Sequence, residues 1–325
     1  MPQKISKSNS VSLDDLRVSS GIKDKISNNY ASLETLSKAT PQEVSNTVGI
    51  SIKVARSAVI SARTLLGIGP VTAMELLAEY RQKRYLTTGS QSLDEILGGG
   101  ISTGSITEIS GEFASGKTQL VFQLCINAQL PVENGGLEGK VYFLDTEGTF
   151  SVKRVLEMSI ANPVNKDPHE YLKNIFVARA FNAEHQIQLI NDADKLLKEE
   201  NIRLLVIDSV AAHFRSEYQG KEQLATRQQK LMAHAERLNR YADSYDIAIV
   251  TTNQVLASMD KYLSGQGVEP ALGYAWGHRP QTRIFLRKQK GSARLARIID
   301  SPELPEREAV FYVTEKGIQD DQVFF

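Results

Sequence analysis

The residues Gly111-Glu112-Phe113-Ala114-Ser115-Gly116-Lys117-Thr118 fit the pattern G-x-x-x-x-G-K-[ST], a spacing that lets backbone N–H groups wrap an oxyanion. Gly111 and Gly116 permit the turn, Lys117 is placed to reach the outer phosphates of a nucleoside triphosphate such as ATP, and Thr118 offers a hydroxyl to Mg2+. Gln119 follows at once, inside the apolar helical pattern TQLVFQLCINAQL, whose positive N-terminal end adds to the cradle. Other polar residues close short apolar runs. RLLVIDS ends in Asp208, a strand-end carboxylate suited to Mg2+ and its waters; the plainer reading is an aspartate capping the next turn. VYFLDTEGTF carries Asp145 and Glu147, and Glu147 is expected to polarise a water in line with the terminal phosphate. IAIVTTNQV closes on Asn253 and Gln254, where an amide can hydrogen-bond that phosphate and report its loss.

These residues need a frame that brings separate strand ends together. GSITEIS, KVYFLD, NIFVA, RLLVID and IAIVTT are short, largely apolar and β-branched, and longer helical patterns separate them. That is the signature of strands buried on both faces of a mostly parallel sheet, so residues 85–325 read as an α/β core of the P-loop ATPase kind. TRIFLRK, LARIID and AVFYV lie close together and predict a terminal antiparallel meander. Residues 1–12 read as a disordered arm, 13–66 as a small all-α domain, and 67–84 as a linker that opens on a Gly-Pro break. Val48-Gly49-Ile50-Ser51, before IKVARSAVISAR, has the outline of a helix-hairpin-helix, with Lys53, Arg56 and Arg63 nearby. A plain bundle that docks on a protein fits those residues as well.

Composition narrows the partners. The 38 basic and 38 acidic side chains cancel, so any nucleic-acid contact must come from local patterning. One such pattern exists: Ala271 to Ile299 holds no acidic residue but contains Arg279, Arg283, Arg287, Lys288, Lys290, Arg294 and Arg297. A solvated basic edge strand is the alternative for Arg283, Arg287 and Lys290. The stretch Leu256–Trp276 is too long for an idle connection; its Tyr262, Tyr274 and Trp276 could stack on bases or pack on the domain. The one cysteine, Cys125, allows no intrachain disulfide. No signal peptide or membrane span is visible, and the expectation is a soluble, cytoplasmic protein with no membrane partner.

Taken together, GEF.SGKTQ, DTEGTF, LLVIDS, FRSEYQGKEQLATRQQKL, TNQV and DSPELPE.EAVF resemble the archaeal RadA recombinases of the RecA family, over nearly all of residues 13–320. The resemblance implies a RecA-like core after a helix-hairpin-helix domain. It also implies an ATP-bound filament on single-stranded DNA that pairs with homologous double-stranded DNA and exchanges strands, hydrolysing ATP with Mg2+. Self-association as a filament or ring follows, as do mediator proteins. By position, Lys117 and Thr118 take the phosphate and Mg2+ roles, Glu147 is the catalytic glutamate, Asp208 the Walker B aspartate, and Gln254 the γ-phosphate sensor. Arg154 matches an arginine that packs on adenine, and Asp300 to Pro305 a cap laid over a neighbour's nucleotide. Arg215, Tyr218, Lys221 and Arg227 fall in the first DNA loop.

The chain departs from the family pattern in places. Pro70-Val71-Thr72-Ala73 stands where the family carries a polymerising Phe-x-x-Ala, and Leu66 or Met74 could replace the phenylalanine in a shifted register. Leu272-Gly273-Tyr274 stands for Gly-Gly-His, although His278 matches a family histidine, and the Leu-Pro-Gly-x-Gly of the first helical hairpin is absent. Two rival functions follow: a paralogue that assists a recombinase without long filaments, and a hexameric RecA-fold DNA motor.

Overall fold

The computed structural model describes residues 11–162, 164, 167–255, 272 and 274–321. Two compact units divide the chain, Met1–Gln82 and Lys83–Phe325. In the first, helices α1 (Ser20–Ser27), α2 (Leu33–Lys38), α3 (Pro41–Val48) and α4 (Ile52–Leu65) enclose a small core of Ile26, Leu36, Val44, Ala55, Ala58 and Val59. Their limits follow from local chemistry. Ser32, Thr40 and Ser51 each accept a hydrogen bond from the backbone N–H three residues on, satisfying a donor that the helix start leaves open. Gly49, at φ 69°, ends α3 in the left-handed conformation that a side chain disfavours. Lys53 and Arg56 are exposed on α4, whereas Arg63 Nε donates to the Ser37 carbonyl at 2.8 Å. A fifth helix, α5 (Ala73–Tyr80), opens with Glu75 Oε2 accepting from Thr72 N, and leaves Met74, Leu76 and Leu77 exposed.

The second unit is built on a nine-stranded sheet. Its strands are β3 (Ser105–Gly111), β4 (Lys140–Asp145), β5 (Ile175–Arg179), β6 (Ile202–Asp208), β7 (Ala248–Gln254), β8 (Thr282–Lys288), β9 (Ala293–Asp300), β10 (Glu308–Thr314) and β11 (Gly317–Gln319). They lie in the order β11-β10-β9-β8-β3-β7-β6-β4-β5. A short hairpin-like pair, β1 (Tyr85–Leu86) and β2 (Ile101–Ser102), stands apart. The β8-β3-β7-β6-β4-β5 part is parallel, and β8 onward to β11 is antiparallel, which is the expected meander.

Strand alternation feeds an apolar layer on each face. One layer packs Val141, Phe143, Val206 and Val250 under α7 (Lys117–Asn127) and α8 (Val152–Ile160). The other packs Tyr142, Leu205, Ile207 and Ile249 under α10 (Ala183–Asn191), α11 (Ala193–Glu199) and the long α13 (Leu224–Tyr245). Elements α6 (Gln91–Ile96), α9 (Pro168–Lys173), α12 (Ala212–Glu217) and α14 (Tyr274–Gly277) also belong to the unit. Among the described residues no helix is long and apolar enough to cross a membrane.

His234 on α13 sits inside the second layer beside Gln186 and Phe214. Burial, with a smaller contribution from Arg237, pushes its imidazole down to about 4. The unfolded chain therefore binds a proton near pH 6.5 that the folded one refuses. Its contribution to stability is complete above that pH and is lost as pH falls toward 4. Urea unfolding at about pH 5 is expected to show about 2 kcal/mol less stability from this group than at pH 7.5. In His234→Gln that part of the pH dependence should be missing.

Candidate nucleotide-binding site

Register brings the polar strand ends level. Gly111 pairs with Gln254, and Asp145 with Asp208, so β3, β7, β6 and β4 end together at one edge of the sheet. The loop after β3 carries two left-handed residues, Ala114 at φ 59° and Gly116 at φ 102°. A Cβ at Gly111 would collide with the Leu286 carbonyl oxygen and with Ser115 Oγ, so only glycine lets the loop fold back this closely. Gly116 caps α7 with no side chain to accept from its first N–H groups, which leaves them for an anion.

Lys117 is buried, and its Nζ donates to the carbonyls of Gly111 at 2.9 Å and Glu112 at 2.8 Å. Burial lowers its pKa; Asp208, Glu147 and Glu112 pull the other way. Thr118 Oγ1 donates to Asp208 Oδ2 at 2.8 Å, and Thr252 donates to Asp208 Oδ1. Burial raises the pKa of Asp208, although both hydroxyl donors oppose it. Beside it, Ser209 Oγ donates to Glu147 Oε1 at 2.7 Å, and Gln254 Nε2 donates to the two Glu147 oxygens at 3.3 and 3.4 Å. The Thr118–Asp208 pair and the Ser209–Glu147–Gln254 group thus lie side by side, with Lys117 close enough that both carboxylates act on its charge.

The donor set fits a magnesium–nucleotide. Ser115 Oγ is buried in the phosphate loop without a partner, and Asp208 is a buried carboxylate whose raised pKa a divalent cation would lower. Thr118 and Asp208 would hold that cation, and Lys117 with the first turn of α7 the phosphates. Arg154, the adenine candidate, donates from Nε to Gln119 Oε1 at 2.8 Å, and from its terminal nitrogens to the carbonyls of Thr314 and Glu315. It therefore joins α7 to the end of β10. Glu112, Phe113 and Ala114 are exposed on the outside of the loop.

A family profile described as Rad51 matches residues 81–321. The chain belongs to the Rad51 family. It is similar to a protein named "DNA repair and recombination protein RadA" from Aeropyrum pernix, with 47% identity over 293 residues that cover 90% of this chain and 91% of that one. A protein of the same name from Metallosphaera sedula is 44% identical over 292 residues, 90% of this chain and 89% of that one. The α/β unit of this Rad51-family chain is accordingly a RecA-like P-loop core.

The DNA candidates of this Rad51-family chain are less concentrated. Arg215, on α12, lines a cavity of about 370 Å3 with Glu147, Ser209, Ala211, Ala212, Ser216 and Gln254, next to the phosphate site. Tyr218 points elsewhere: its hydroxyl donates to Glu184 at 3.2 Å and accepts from Lys230 at 2.7 Å. Lys221 is exposed between α12 and α13, and Arg227 is half-buried with Nε unpartnered among the described residues.

In the basic stretch, Arg283 is committed to Glu108, Arg279 to Glu236, and Arg297 to Glu306 and Glu308; Lys288 and Lys290 are exposed. The structure also removes one option for Trp276, which is fully buried and so packs on the domain instead of offering a face to bases. Leu256–Ala271, Gly273 and the side chain of Tyr274 lie outside the described residues, Tyr262 among them.

Thr252 and Ser209 were not singled out from the sequence, and Asp145 was named there without a role. Asp145 Oδ1 accepts from the N–H groups of Glu147, Gly148 and Thr149, and Oδ2 from Phe150, which fixes the turn that aims Glu147. An aspartate two residues before a Glu-Gly pair is an Asx-turn signal that could have found it. Thr252 and Ser209 had no such signal, because their partners lie on other strands.

Proposed function

We propose that this protein is an ATP-dependent DNA recombinase that acts in homologous recombination and repair. The observation that carries the reading is the joining of Lys117, Thr118, Asp208, Glu147 and Gln254 at one sheet edge in a Rad51-family chain. Relatives matched over 90% of the chain are named for recombination, which favours this reading over an assisting paralogue or a DNA motor.

In this reading Lys117 and the loop N–H groups hold the triphosphate, while Thr118 and Asp208 hold Mg2+. Bound there, Mg2+ supplies Lewis-acid stabilisation of phosphate charge. Glu147, held by Ser209 and Gln254, orients the attacking water and accepts its proton. Gln254 touches Glu147 on one side and begins the run to residue 256 on the other, so it is placed to relay the state of the γ-phosphate. Arg154 is assigned to the adenine, and the Asp300 to Pro305 segment, anchored by the half-buried Leu304, to a neighbouring subunit's nucleotide. Self-association is assigned to the linker 67–84 between a helical domain, 13–66, and a core, 85–325. The exposed apolar side chains Val71, Met74, Leu76 and Leu77 suit burial against a second copy.

Arg215, Lys221 and Arg227 are assigned to the DNA backbone, and Tyr218 to bracing the loop through Glu184 and Lys230. Arg215→Ala and Arg227→Ala are each expected to weaken single-strand binding and to lower the slope of log affinity against log salt by about 1. Fluorescence-anisotropy titrations at several salt concentrations measure both quantities. Slopes identical to the parent's would remove these two residues from the DNA surface.

A further inference from the structure

Glu108 lies on β3 just ahead of the phosphate loop, on the face shared with Ile106 and α13 and away from α7. It is fully buried, and its carboxylate accepts from Asn253 Nδ2 at 2.7 Å, Trp276 Nε1 at 3.1 Å and Arg283 Nε at 2.7 Å. A carboxylate out of water needs donors that replace its hydration. Here the donors come from both sides of one stretch of chain: Asn253 precedes residues 256–271, and Trp276 and Arg283 follow them. Asn253 Oδ1 is buried without a partner, so among the described residues its side chain is held through Glu108 alone.

Asn253 and Gln254 are neighbours on a strand and point to opposite faces, one to Glu108 and the other to Glu147. Fixing Asn253 thus fixes where Gln254 stands, because a slip of one residue would exchange the two faces. The indole of Trp276 locks α14 to the same oxygen that holds Asn253.

We propose that Glu108 is a positioning residue: it ties both flanks of the 256–271 stretch to the strand entering the phosphate loop, so that DNA engagement is felt at Gln254 and Glu147. This rests on the proposed reading of the protein as an ATP-dependent DNA recombinase, taken with DNA stimulating its ATP turnover. Glu108 touches neither nucleotide nor DNA; it acts through Asn253 and Trp276.

The test uses the full chain, single-stranded DNA, and two variants. Glu108→Gln turns one acceptor into a donor facing Asn253 or Arg283. Trp276→Phe leaves the Glu108–Arg283 pair in place and removes the indole N–H together with part of the ring, so its melting temperature is measured beside it to separate the lost hydrogen bond from the lost packing. Both are expected to raise the DNA concentration for half-maximal stimulation of ATP turnover by about tenfold, with DNA-free turnover unchanged. Trp276 is the sole tryptophan, so its emission reports on the junction directly. It should change when DNA and a non-hydrolysable ATP analogue are added to the parent, and stay constant in Glu108→Gln. A parent that responds to DNA together with variants that lose only melting temperature overturns the inference alone. A parent indifferent to DNA overturns the functional reading and the inference with it.

Discussion

Replacing Lys117 by alanine is expected to abolish ATP turnover. The ammonium is buried at the mouth of α7, and its pKa is lowered chiefly by that burial, while Asp208, Glu147 and Glu112 oppose the shift. Alanine removes the one side-chain cation of the cluster formed by Lys117, Thr118, Glu147, Asp208 and Gln254. It also leaves Asp208 and Glu147 facing a polyanion without that compensation. Loss of a donor aimed at developing phosphate charge costs a factor of about 100 to 1,000 in rate. Steady-state phosphate release with saturating single-stranded DNA measures it. Turnover within about twofold of the parent would remove Lys117, and with it the loop Gly111–Thr118, from the nucleotide site.

Glu147→Gln is expected to separate binding from chemistry. The substitution keeps a planar side chain that can accept from Ser209 Oγ, as Glu147 Oε1 does at 2.7 Å, so the loop held by Asp145 should keep its shape. What it removes is a group that takes a proton from water. General-base loss lowers the rate by about 100- to 10,000-fold. Equilibrium binding of a fluorescent ATP analogue should stay close to the parent's, whereas single-turnover hydrolysis should fall. Weakened binding with an unchanged rate per bound ATP would return Glu147 to a structural role.

The sequence carried the frame because its signals are local. The apolar runs ending in Gly111, Asp145, Asp208 and Gln254 each announce a buried strand, and the glycine spacing of 111–116 announces its own turn. The strand pattern alone left Asn253 and Gln254 equal, since either amide suits a phosphate, and only the resemblance picked Gln254. The pleat decides: alternation sends Asn253 to Glu108 and Gln254 to Glu147. Trp276 was open for a related reason. Its partner Glu108 is distant in sequence, and nothing local to α14 says that an indole will meet a carboxylate on a strand between β7 and β8. The basic stretch 279–297 read as a DNA surface or a solvated edge strand, and its ion pairs to Glu108, Glu236 and Glu306 could not be seen in either reading, because those carboxylates lie elsewhere in the sequence. Charge patterning along a chain is blind to pairs made across a fold.

Pro70 illustrates the opposite case, a local departure with a distant consequence. The linker lacks the aromatic anchor of the family pattern, yet Val71 and Met74 remain exposed nearby, Met74 at 74%. Buried apolar anchors contribute about 2 to 4 kcal/mol at protein interfaces, so the self-association proposed for the linker would have to be carried by side chains such as these together.

Joint-molecule formation between a labelled single strand and homologous duplex DNA tests the central claim most directly. The account predicts joint molecules that require ATP and Mg2+, form only with homologous duplex, and disappear in Lys117→Ala. Strand separation of duplex regardless of homology, or no pairing by a preparation that hydrolyses ATP and binds single strands, would contradict it.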